Sequence, residues 1–188
     1  MSWRCRIGWR WGVLAVGLLL GAALTSQGGP CCAPPQPTCL EDLDNLCDGQ
    51  YRALFLRAPL GKPFDGVHRG KLVYLADKVA PKLKLRLAAS SWRGKTACAE
   101  TGHFINRWAR RGDWIESHYV IGPSWLDGKP AVIMEYPPKT PLFSNMHDEI
   151  REIAPGLYLG PVIERFPCPK FRGWVALQVE CGCPCNKH

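Results

Sequence analysis

Along the chain the hydrophobic pattern falls into three regimes. An unbroken apolar run occupies residues 13–24, a stretch rich in Pro, Cys and Gly follows, and beyond Gly66 apolar and polar positions alternate with a period of two. Residues 82–87 (KLKLRL) set three Leu on one face and three cations on the other, the signature of a half-buried strand. Residues 114–121 are aromatic and β-branched and stop at Gly122-Pro123. The turn dipeptide Asp127-Gly128 precedes the run 131–136, which Pro137-Pro138 ends. Residues 171–181 alternate again, with Phe171, Val175, Leu177 and Val179 on one face and Arg172, Trp174, Gln178 and Glu180 on the other. Runs at 72–75, 148–153 and 157–165 bring the number to seven, and the region 96–108 offers an eighth.

No run of ten or more residues shows an apolar period of 3.6, which argues against parallel βαβ units. Short antiparallel strands lose their exposed edges by closing on themselves. The pattern therefore predicts a mainly β chain folded as one antiparallel barrel over 64–180, with a two-sheet sandwich as the alternative. Seventeen Pro and 19 Gly in 188 residues agree with many turns.

The first 26 residues hold Arg4, Arg6 and Arg10, no acid, and the apolar run. Twelve residues at ~1.5 Å rise reach about 18 Å, against the ~30 Å of a bilayer core. With Ala22, Ala23, Thr25 and Ser26 following, residues 1–26 read as a secretory signal, an uncleaved anchor being the alternative. Residues 27–63 read as a Pro/Cys-rich tether and 181–188 as a Cys-rich tail. Loss of the leader lowers the formal charge from +8 to +5, with 21 Lys+Arg against 16 Asp+Glu. No dense basic block remains, so nucleic acid is not an expected partner, while peripheral attraction to anionic lipid or an envelope polymer is allowed.

Export gives the cysteines their reading. Without Cys5, nine remain: Cys31, Cys32, Cys39, Cys47, Cys98, Cys168, Cys181, Cys183 and Cys185. In an oxidising compartment these are disulfide candidates, the odd count leaving one thiol for another fate such as lipidation of Cys31. The Cys181-Gly-Cys183-Pro-Cys185 spacing is tighter than paired zinc ligands require, so no metal site is assigned.

Three stretches could carry chemistry. In Trp92-Arg93-Gly94-Lys95, Gly94 allows a tight turn or close backbone approach. Trp92 and Lys95 either face a pocket mouth that receives an acidic head group or serve as plug and surface. His103 and Asn106 are three apart, face opposite ways on a strand, and form no shared catalytic pair, so Asn106 reads as a cap or turn residue and not as a ligand contact. In 147–160, strand parity groups Glu149, Arg151 and Ile153 on one face and Asp148, Ile150 and Glu152 on the other. Glu149 is then the natural partner of Arg151, as an ion pair that fixes register or as a clamp on a ligand head group. A short helical turn capped by Ser144 or Asn145 is the other local reading. Pro155-Gly156 is the turn that follows. Hydrolase elbows, zinc-protease helices, phosphate loops and dinucleotide fingerprints are missing, so no catalytic residue and no cofactor is assigned.

Taken together, Trp92-x-Gly94-Lys95, Asp127-Gly128 before a strand ending in Tyr136, and Asp148-Glu149-x-Arg151 before Gly156-Leu-Tyr158-Leu-Gly160 resemble a bacterial family of uncharacterised exported β proteins. That family is similar to the calycin-like barrels, the lipocalin and fatty-acid-binding group, and the small GXWXG-type domains. The resemblance spans about 64–179, and the early Gly-x-Trp strand of lipocalins is missing here. It implies a cavity for a hydrophobic small molecule. On this basis the expectation is an exported, non-enzymatic binder of a hydrophobic or lipid-like ligand. Trp92, Tyr136 and Tyr158 would line its pocket, Lys95 would stand at the mouth, and Glu149 with Arg151 would orient a polar head. The rival expectations are a hydrolase or isomerase using His147, Asp148 or Glu149, and a filled structural envelope protein.

Overall fold

A computed structural model describes residues 36–77, 91–138, 140 and 143–180. Eight strands follow the chain: β1 (Gly66–Leu75), β2 (Trp92–Cys98), β3 (His103–Trp108), β4 (Gly112–Pro123), β5 (Pro130–Glu135), β6 (Met146–Ala154), β7 (Leu157–Glu164) and β8 (Lys170–Val179). Each pairs antiparallel with its neighbour in sequence, and β8 returns to β1, with His68 opposite Val179. The barrel is closed, and the sandwich is excluded. The region 96–108 contributes parts of two strands, joined by a tight turn in which the Gly102 N–H donates to the Cys98 carbonyl. The run 82–87, the leader, and Cys31, Cys32, Cys181, Cys183 and Cys185 lie outside the described residues.

Period-two alternation separates two apolar clusters. Inside are Phe64, Ala97, Phe104, Ile115, Val132, Met134, Tyr136, Ile150, Tyr158, Val175 and Leu177. The alternate positions Ala131, Ile133, Leu157, Leu159, Trp174 and Ala176 point outward, yet they are buried as well. Their cover comes from the segment expected to be a plain tether.

That segment holds a 3-10 turn (Leu40–Leu43) and a helix, α1 (Asp48–Arg57). Leu40, Leu43, Tyr51, Leu54 and Phe55 are all buried against the outer wall. The i, i+3, i+4 set Tyr51, Leu54 and Phe55 is an apolar stripe too short to stand out as a helical period, but enough to seat one helix. At its start the Cys47 N–H donates to the Gln50 side chain at 3.0 Å. The Trp174 indole, expected on the polar face of its strand, stacks on Tyr51 (6.2 Å between centroids) and donates to Asp48 at 2.7 Å. Burying one such side chain stabilises by about 1.5–3 kcal/mol, so α1 is part of the fold.

Of the proposed disulfide cysteines, Cys39 carries a free thiol, while Cys47 and Cys168 are disulfide-bonded. Cys98 ends β2 and is half-buried.

Candidate functional site

Inside the barrel, one half is plugged and the other is not. Phe64, His68, Tyr119 and Tyr158 fill the first half with ring-to-ring contacts of 4.2–5.7 Å. The second half holds a cavity of about 250 Å³. Its walls are Leu72, Trp92, Trp108, Phe143, Met146, Val162 and Val175, and its floor is Lys95, Asn106, Tyr136 and Asp148, with Ser91 at the side.

Gly94 explains how Trp92 and Lys95 both reach this space. Three residues apart, they would face opposite ways on a regular strand. The pairing of β2 with β3 slips between Trp92 and Gly94, and Gly94 takes φ +130°. A Cβ on Gly94 would collide with the carbonyl oxygen of His68 on β1. The bulge consumes one residue of phase and turns both side chains inward.

The floor is a chain of buried hydrogen bonds. Lys95 Nζ donates to Asn106 Oδ1 (2.8 Å) and to the Tyr136 hydroxyl (2.9 Å), which in turn donates to Asp148 Oδ2 (2.5 Å). Trp92 Nε1 also donates to Asn106 Oδ1, at 3.2 Å. Lys95 sits among the rings of Phe104, Tyr136 and Trp92, 4.5–5.6 Å from their centroids, a cation–π setting that offsets part of its desolvation. Burial dominates the electrostatics. It pulls the Lys95 amine down to about 8, opposed by the Asp148 charge, and pushes the Asp148 carboxyl and the Tyr136 phenol up.

Three polar atoms on residues that line the cavity are buried without a partner: Asn106 Nδ2, Trp108 Nε1 and Asp148 Oδ1. The orientation of the Asn106 amide is determined by its neighbours. Lys95 and Trp92 can only donate, so the oxygen must face them and the NH₂ is the end left over.

Trp92, Lys95 and Tyr136 line the cavity, and Lys95, expected at its mouth, is instead fully buried at its floor. Tyr158 points inward but packs in the plugged half, 5.5 Å from Phe64 and 5.6 Å from His68 between centroids. Glu149 and Arg151 share a face, as parity required, but that face is the outer one, and they do not pair with each other. Arg151 is fully buried and uses every donor: two to Asp127, one each to the carbonyls of Phe55, Lys129 and Pro130. Its guanidinium also lies 4.3 Å from the Phe55 ring centre. Glu149 accepts from the Ser124 hydroxyl, the Trp125 N–H (2.7 Å) and the His147 ring (2.9 Å). A conventional ion pair inside one strand is replaced by two anchors for the β4–β5 loop, because both groups face the layer that the loop and α1 cover.

The cavity side of β6 belongs to Asp148, which sequence parity had set apart from the binding pair. Asn106 and Trp108 were also missed. Both sit two apart on the inward face of β3, so the alternation Phe104, Asn106, Trp108 carried the signal once inward and outward were known. Among the described residues no group of three or more His, Cys, Asp or Glu side chains could hold a metal ion.

No family model matches the chain, and no curated protein is significantly similar to it in sequence. In fold it is similar to a solved protein from Thermomonospora curvata, with a TM-score of 0.52 over 74% of this chain and 92% of the other, at 15% identity. At that identity the likeness concerns the barrel alone.

Proposed function

We propose that the protein binds a compact, mainly apolar small molecule in the unfilled half of the barrel. The observation that carries this reading is the cavity itself: about 250 Å³ beside a tightly packed aromatic half, with apolar walls and a polar floor. A few convergent polar groups in an apolar concavity are the usual composition of a small-molecule site. Since a cavity of about 150 Å³ takes benzene, this one suits a bicyclic molecule better than a whole acyl chain. The motif resemblance to calycin-like barrels and the expected leader at 1–26 support the same reading, that of an exported binding protein. The role first given to Glu149 and Arg151 passes to Lys95, Asn106, Tyr136 and Asp148.

The test is solvent extraction of the purified protein followed by mass spectrometry, together with calorimetric titration of bicyclic probes. A co-purifying compound or saturable 1:1 binding is expected. If neither is found, the reading falls.

A second reading has one observation in its favour. Of the three residues offered for catalysis, only Asp148 lines the cavity, and its burial raises the carboxyl above its ordinary range. Linked through Tyr136 to Lys95, it could exchange a proton with a bound substrate. Deuterium incorporation at carbon in the extracted ligand, abolished by Asp148→Asn, would support this reading over pure binding.

A further inference from the structure

We infer that the pocket selects an uncharged ligand that carries both a hydrogen-bond acceptor and a hydrogen-bond donor, and discriminates against a carboxylate. The inference rests on the small-molecule reading above and specifies its chemistry. Two observations lead to it independently, one from charge and one from hydrogen bonding.

Charge comes first. Among the described residues the ionisable groups on the cavity wall are Lys95, Tyr136 and Asp148, and they already form one chain, amine to phenol to carboxyl. The positive and the negative end answer each other. Arg165, whose charge also reaches Asp148, does not line the cavity. A ligand carboxylate would enter a desolvated wall where the cation is already compensated and would face Asp148 as a like charge. A fatty acid or aryl carboxylate, the natural guess for a cavity with a lysine, is therefore the wrong charge state.

The unpaired atoms say what fits instead. Asn106 Nδ2 and Trp108 Nε1, on cavity-lining residues two apart in β3, are both donors, and Asp148 Oδ1, on the cavity-lining residue of β6, is an acceptor. Buried polar groups in native structures are nearly always paired, so three unpaired atoms on residues that line one cavity point to a partner that reaches them. A carbonyl or ether oxygen fits the β3 side, and a hydroxyl or N–H fits the β6 side. The walls between are apolar and aromatic, so the body that joins these two groups is a ring system.

Matched bicyclic probes test this on the wild-type full-length protein by calorimetry at pH 7. They are 6-hydroxy-1-tetralone (acceptor and donor), 1-tetralone (acceptor only), tetralin (neither) and 5,6,7,8-tetrahydro-2-naphthoate (anion). One buried hydrogen bond corresponds to roughly tenfold in affinity, so each lost polar group should weaken binding by about that factor, with the anion weakest. Trp108→Phe keeps an aromatic ring and removes one donor, and it should weaken the two tetralones about tenfold more than it weakens tetralin, which reads only the lost packing. If the anion or tetralin binds as tightly as 6-hydroxy-1-tetralone, or Trp108→Phe weakens all the probes equally, the selectivity inference is overturned while the binding site stands. If none of the four binds, the small-molecule reading itself falls and takes the inference with it.

Discussion

Asp127 and Arg151 lie 24 residues apart and meet in a two-pronged ion pair, Nη1 to Oδ2 at 2.9 Å and Nη2 to Oδ1 at 2.6 Å. Through it the turn after β4 is fastened to the middle of β6, and the Phe55 carbonyl ties α1 to the same guanidinium. Arg151 is fully enclosed, so removal of its partner leaves a buried charge only partly answered by carbonyls. Asp127→Ala is expected to cost about 3 kcal/mol, the lower end for a broken buried pair because three carbonyl contacts remain. Combining it with Arg151→Met should cost less than the two single changes summed. Urea denaturation of the four proteins measures both.

The same pair carries a pH signature. Hydrogen bonds from Arg151 hold the Asp127 carboxyl below its ordinary range. A carboxylate with a depressed folded pKa contributes stability that is present above its unfolded value of about 3.9 and lost as pH falls through the folded value. Wild type should therefore lose its advantage over Asp127→Asn below about pH 4 and retain it at neutrality. An advantage that does not change between pH 3 and 7 would contradict the assignment.

How much of this was legible beforehand depends on which side of the wall a residue faces. Alternation located β4 to β8 and the end of β1, and the Asp-Gly and Pro-Gly turns placed the β4–β5 and β6–β7 hairpins, because both signals are local, whereas β2 and β3 read as one run. Parity also put Asp148 and Glu149 on opposite faces. It could not say which face was inner, since Leu157, Leu159 and Trp174 are as apolar on the outer wall as Tyr158 and Val175 are within. That ambiguity arises from α1. Its three buried residues make a second apolar layer outside the barrel, where Arg151 and Glu149 are sealed. The Gly94 bulge hid a second feature, because it cancels the parity that would have separated Trp92 from Lys95.

His68 gives a prediction in the acid range. It is fully buried between Phe64 and Tyr158, with Nδ1 3.0 Å from the Gly66 carbonyl and Nε2 without a partner. Burial pulls its imidazole down to about 4. Between pH 4 and the ordinary value near 6.5 the unfolded chain binds a proton that the folded chain refuses. Stability should fall as pH drops through that window, by about 3 kcal/mol at 1.36 kcal/mol per unit. His68→Phe should flatten that part of the curve, as followed by thermal unfolding from pH 7 to 4.

Lys95 acts at the other end of the scale. Its amine is held at about 8, mainly by desolvation. A base with a depressed folded pKa costs stability in full below that value, and the cost fades as pH rises toward the unfolded value of about 10.4. The stability of wild type relative to Lys95→Met should thus climb between pH 8 and 10, a direction opposite to that of an ordinary surface lysine pair. Equal slopes for the two proteins would show that the amine is solvated. Ligand occupancy should change the same slope, because any molecule that fills the cavity also changes the desolvation of Nζ.

Gly160 and Gly128 separate two reasons for a glycine. On β7, Gly160 has its backbone pressed against β6, and an added Cβ would fall on the carbonyl oxygen of Glu149. Backbone on both sides leaves no flexible group to yield. Gly128 in the turn after Asp127 takes φ +74°, but a Cβ there would meet nothing within 4 Å. Gly128→Ala therefore pays only conformational strain, about 1 kcal/mol. Gly160→Ala must push β6 and β7 apart at the residue that holds the Ser124 hydroxyl and the Trp125 amide, and should lower the melting temperature several times more. Its effect should also reach the cavity, since Asp148 precedes Glu149 on the displaced strand. Reduced probe binding in whatever Gly160→Ala remains folded, alongside normal binding in Gly128→Ala, is the expected pattern. Equal melting temperatures for the two variants would mean that the β6–β7 approach is looser than this packing requires.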